Sequence, residues 1–139
     1  MSIFDDDIKR LDFEDYIWFI FAILAFFNIF GDNLQKKFLR SNDKYYENKA
    51  NEVYIFVTVV ILIIYIYFFY RNYKAFKKVK QEDKGMYLIK LIGSALLIGG
   101  IICLLYFQYN QSDFIGTPAI WLRNFKKNVF IVYNIIFLW

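Results

Sequence analysis

The stretch VYIFVTVVILIIYIYFFYRNYKAFKKVK, residues 53–80, decides how the chain is read. From Val53 to Tyr70 it runs for eighteen residues without a charge, and the next ten hold Arg71, Lys74, Lys77, Lys78 and Lys80. At 1.5 Å per residue the uncharged part makes about 27 Å of helix, close to the roughly 30 Å hydrocarbon thickness of a bilayer. Apart from the amphipathic tyrosines, its one strongly polar side chain is Thr58, so no polar face exists for a helix lying on a soluble core. The hydroxyl of Thr58 is expected to return to a carbonyl one turn back, which satisfies it locally. The segment predicts a membrane span.

Working outward, the same test finds two more. Tyr16–Gly31 is sixteen uncharged residues between Asp15 and Asp32, short by a turn, so local bilayer thinning or help from Phe13 is expected. Leu91–Tyr109 is nineteen uncharged residues preceded by Lys90, whose ammonium can snorkel to the interface. The acidic flank MSIFDDDIKRLDFED and the lack of a small-x-small site argue against a signal peptide in the first segment. With 139 residues, 59% hydrophobic and 23% aromatic, the chain has room for a single membrane domain over 1–139 and for no separate soluble one. The single cysteine, Cys103, lies within a span and excludes an internal disulfide.

Between the spans, 31–52 carries mixed charge, and Ser41, Asn42 and Asp43 predict a helix start before the second span. The helices are expected to protrude beyond the lipid. After Tyr70 the helix is expected to continue, with Arg71, Lys74 and Lys78 on one side and Phe69, Tyr73 and Phe76 on another, until Gly85 stops it. That makes a basic helical hairpin extension. Past the turn at Gly116, Thr117 and Pro118, residues 118–139 read as an amphipathic interfacial helix. There Arg123, Lys127 and Asn134 oppose Trp121, Leu122, Phe125, Val129 and Val132. The fold class is an all-α integral membrane protein with three transmembrane helices and this C-terminal interfacial helix.

Histidine is absent, the one thiol is at lipid depth, and no acid pair shares an intramembrane face. General acid–base, cysteine and zinc chemistry each lack a customary residue type. Asp5, Asp6 and Asp7 point in different directions and lack the spacing of a calcium loop; they read as a solvated tail favouring the positive end of a helix that begins near Asp12. No enzyme, cofactor or metal site is expected. Every charge sits outside or at the margin of a span, and no inverted pair of broken helices is visible, which departs from proton-coupled carriers.

Three features point to interactions. Arg71, Lys74, Lys77, Lys78, Lys80 and Lys84 can hold anionic lipid headgroups, and as a simple topology signal they also mark a cytoplasmic loop; nucleic acid is not an expected partner. Ala95, Gly99 and Cys103, four residues apart with Gly93 and Gly100 nearby, form a small-residue groove suited to close helix packing, inside the chain or against another. Asn28, Asp32 and Gln35 make a polar edge that expects partners on a neighbouring helix, or the mouth of an oligomeric pore.

Function follows by exclusion. The chain reads as a small non-catalytic accessory, scaffold or assembly subunit with membrane lipids and a membrane-protein partner or a second copy as its contacts. A holin-like or small-channel pore-former is the alternative, and a membrane immunity or regulatory protein a further one. The seven cations of 71–90 against the five of 31–52, the latter offset by Asp32, Asp43, Glu47 and Glu52, place the amino terminus and the 71–90 loop in the cytoplasm.

Overall fold

The computed structural model describes residues 3–110, and over them the chain is helical. The order is α1 (Ile3–Ser41), α2 (Lys44–Lys78), a 3₁₀ turn over Gln81–Asp83, and α3 (Lys84–Asn110). All three α-helices are long and apolar enough to cross a membrane, which marks a membrane-embedded, multi-pass chain. Each contains one of the spans expected at 16–31, 53–70 and 91–109. At 39 and 35 residues, α1 and α2 are about 58 Å and about 52 Å long and outrun a bilayer. The amphipathic helix expected over 118–139 falls outside the described residues.

Two helix boundaries differ from expectation. α1 begins at Ile3, well before Asp12, because the acidic run is itself helical: Asp5 and Asp6 lie in the first turn, where carboxylates complement the positive end. Arg10 then bridges Asp7 at 3.1 Å on the same helix. Gly85 does not stop α2. That helix ends at Lys78, and Val79 turns to extended backbone with its N–H donating to the Ala75 carbonyl at 3.1 Å. The Asp83 N–H, donating to the Lys80 carbonyl at 3.1 Å, closes the connecting turn, so Gly85 falls in the first turn of α3.

The α1–α2 turn follows from Ser41, Asn42 and Asp43, as the sequence predicts. The Asn42 N–H donates to the Phe38 carbonyl at 2.7 Å while Asn42 takes a left-handed φ of 55°, a conformation asparagine tolerates at a helix end. Asp43 then caps α2, its Oδ1 accepting from the Tyr45 N–H at 3.0 Å. Two residues reverse the chain.

Buried and half-buried positions recur at alternating steps of three and four. On α1 the stripe runs Glu14, Ile17, Phe21, Leu24, Asn28, Gly31, Gln35 and Phe38, with Asp32 and Leu34 half-buried beside it. α2 has two such seams side by side: Glu47, Ala50, Tyr54, Val57, Ile61, Ile64, Phe68 and Arg71, and one residue on, Asn51, Ile55, Thr58, Leu62, Tyr65, Phe69, Asn72 and Phe76. α3 supplies Leu91, Ser94, Ile98, Ile101, Leu105 and Gln108. A 3.5-residue repeat keeps one stripe facing a neighbour along its whole length, the pattern of left-handed helix pairs in membranes. The first seam of α2 meets α1, where Ile17 and Leu24 pack on Val57 and Ile64. Its second meets α3. Among the described residues α1 and α3 do not pack on each other, so α2 is central and the other two flank it.

Candidate functional site

Polar side chains gather in two layers along these seams. In one, Arg71 Nη1 donates to Glu14 Oε1 at 2.6 Å and its Nη2 to Asn72 Oδ1 at 3.2 Å, with the guanidinium 4.9 Å from the centre of the Phe68 ring. Arg10 approaches the same Glu14 oxygen at 3.8 Å. The other layer lies at the opposite ends of the spans. There the Tyr54 hydroxyl donates to Asp32 Oδ1 at 2.5 Å and Gln108 Nε2 donates to Asn51 Oδ1. Tyr54 and Gln108 are both fully buried. Between the layers Ile17, Phe21, Leu24, Val57, Val60, Ile61, Ile64, Tyr67 and Phe68 form a core whose one hydroxyl comes from Tyr67. Thr58 Oγ1 donates to the Tyr54 carbonyl at 2.7 Å, as its position in the sequence predicts.

The predicted polar edge therefore comes together against α2. Asp32 meets Tyr54, Gln35 is buried on the seam, and Asn28 lies on it with its Oδ1 buried and unbonded among the described residues. Gln108 Oε1 is likewise buried without a partner among them. Among the described glycines the tightest site is Gly31, where an added Cβ would stand 2.7 Å from Tyr54 Cε1. The predicted small-residue groove is elsewhere. Ala95, Gly99, Gly100 and Cys103 all face outward, and a Cβ added at Gly93, Gly99 or Gly100 would meet none of the described residues within 4 Å. The groove is left open to its surroundings rather than filled by α1 or α2.

The six basic residues divide in two. Arg71 turns inward onto Glu14, with 27% of its side chain exposed. Lys74 and Lys77 lie over the rings of Tyr70 and Tyr73, each 4.8 Å from the centroid, and Lys84 lies 5.4 Å from that of Phe76. Lys78 and Lys80 are exposed. The basic rim is thus carried by lysines, three of which hold their ammonium groups over aromatic faces.

Because α1 and α3 stand apart, a cleft of about 600 Å³ opens over α2 beside the Glu14–Arg71 layer. It is lined by Glu14, Trp18 and Phe21 of α1, Tyr65, Phe68, Arg71 and Asn72 of α2, and Lys90, Gly93, Ser94 and Leu97 of α3. The Trp18 ring is 5.6 Å from that of Phe21 and 6.3 Å from that of Phe68. Glu14, Trp18 and Asn72 were not singled out from the sequence, although Glu14 stands fourteen and twenty-one residues before the polar Asn28 and Gln35 on one seven-residue repeat. Among the described residues, no group of three or more acidic, cysteine or histidine side chains is placed to hold a metal ion. No family model, curated protein or solved structure matches the chain.

Proposed function

We propose that this chain is a small non-catalytic membrane protein, an accessory, scaffold or assembly subunit that presents helix surfaces to a membrane partner. The observation that carries this reading is where the polar groups are engaged. Glu14 with Arg71, Asp32 with Tyr54 and Asn51 with Gln108 tie α2 to its two neighbours. The core between these layers is aliphatic and aromatic, with nothing to replace an ion's hydration shell. What remains outward is the stripe of Ala95, Gly99 and Cys103 and the lysine rim at 74–84, surfaces suited to another helix and to anionic headgroups.

The pore-forming alternative needs Asp32 at an open mouth, and its carboxylate is held by the Tyr54 hydroxyl. Reconstitution into dye-loaded liposomes tests the choice. Tight vesicles, with a co-purifying membrane protein after gentle detergent extraction, support the accessory role; dye release overturns it. The finer parts of the reading are that residues 118–139 lie at the interface and that the amino terminus and the 71–90 loop face the cytoplasm. Cysteines at Ser41 and Gln81 in a Cys103→Ala background check the orientation with an impermeant maleimide on intact cells. Labelling at position 41 alone is expected, and labelling at 81 alone inverts it.

A further inference from the structure

We infer that the cleft between α1 and α3 holds one phospholipid with a singly negative headgroup, its phosphate at Lys90 and Arg71 and an acyl chain between Trp18 and Leu97. The inference rests on membrane embedding and is independent of the accessory role.

Charge accounting at the mouth selects the headgroup. Of the charged side chains that line the cleft, Arg71 and Glu14 face each other at 2.6 Å, so these two charges cancel. Lys90 lines the same cleft and makes no ion pair among the described residues. One uncompensated cation remains at the rim, complementary to one phosphodiester that lacks an ammonium of its own. The body of the cleft selects the chain. Its lining is mostly apolar below the charged rim, with Trp18 and Phe21 on one wall and Gly93 and Leu97 on the other. From Lys90 to Leu97 the helix rises about 10 Å, so an acyl chain entering at the rim runs parallel to the spans. Gly93 leaves the wall open, since a Cβ there would meet none of the described residues within 4 Å. The chain's own residues 111–139 are a poorer occupant on charge, because Arg123, Lys126 and Lys127 outnumber Asp113 and would meet Lys90 with like sign.

The test uses the full chain with Trp121→Phe and Trp139→Phe, so that Trp18 alone reports, in phosphatidylcholine vesicles containing a minor fraction of brominated phosphatidylglycerol or brominated phosphatidylcholine. Brominated phosphatidylglycerol is expected to quench Trp18 with about five-fold higher apparent affinity, the preference that one interfacial cation supplies. Lys90→Gln should abolish the preference, and Lys77→Gln on the outer rim should leave it. Gly93→Phe fills the cleft without altering charge and should also abolish it. Equal quenching by the two lipids in the parent overturns the proposal. So does a preference that survives both Lys90→Gln and Gly93→Phe, which would mean general attraction to the basic surface, and so does shielding of Trp18 from both lipids, which would mean that a protein segment fills the cleft.

Discussion

A methyl group at position 31 would have to occupy space held by Tyr54, whose Cε1 lies 2.7 Å from the site of such a Cβ. The ring cannot easily yield, because it is fully buried and its hydroxyl is tied to Asp32 at 2.5 Å. Gly31→Ala should therefore cost about 1–3 kcal/mol by overpacking, more than the roughly 1 kcal/mol that alanine gains in helix propensity. Gly99→Ala, with open space around it among the described residues, should be neutral or stabilising by up to about 1 kcal/mol in the monomer. Unfolding in mixed detergent micelles measures both, and equal shifts would contradict the packing described. The contrast also shows what a small residue reveals in sequence. Ala95, Gly99 and Cys103 announce that a neighbour could come close, and Gly31, at the edge of the first span, carries no such repeat. Which small residue is used depends on which face the seven-residue register turns inward, and that is set by the large side chains around it.

At the scale of the element, the spans were legible because a run of uncharged residues as long as a bilayer is thick suits a membrane crossing and little else. The partners were less so, because an all-apolar helix offers no amphipathic stripe to orient it. The remaining signal is in the sparse polar residues: Asn51, Thr58 and Asn72 are separated by multiples of seven, as are Ser94 and Gln108. Each pair or triplet marks a seam, and Asn51 and Gln108 meet across one. Replacing Gln108 alone with leucine should cost about 1–3 kcal/mol, because it leaves the Asn51 amide unpartnered. Replacing both with leucine should recover most of that loss, so a double-mutant cycle is expected to give a clear coupling term, whereas Asn51→Leu paired with Ile102→Leu on the outer face should be additive. The missed helix boundaries have a different origin. Asp5–Asp7 and Gln81–Asp83 are acidic runs of similar look, and only the surrounding turn hydrogen bonds separate the one that continues a helix from the one that interrupts it.

For the molecule as a whole, the two polar layers act as rulers. Glu14 to Asp32 on α1 and Lys90 to Gln108 on α3 each span eighteen residues, or about 27 Å of helix. On α1 the inward-turned Glu14 is engaged by Arg71 while Asp15 beside it is exposed, so the ruler of about 27 Å is set by the buried layers rather than by the uncharged run. Stability should be greatest in bilayers of about that hydrocarbon thickness and fall in longer-chain lipids; resistance to denaturant across vesicles of graded chain length measures this, and a flat profile would count against it. Breaking the ruler should also be costly. Arg71→Gln leaves Glu14, with 11% of its side chain exposed, without its main counter-charge, and a loss of about 2–4 kcal/mol is expected, partly relieved by Glu14→Gln in the same chain. The separation of α1 from α3 has a further consequence, for cooperativity. Among the described residues α2 touches both and the outer helices do not touch each other, so these three helices form a linear array whose mutual packing is a sum of two nearest-neighbour terms, as in a short repeat protein. Either flank can then detach while the other pair stays docked, and α3, joined through the 3₁₀ turn at Gln81–Asp83, can open like a page without disturbing the α1–α2 hairpin.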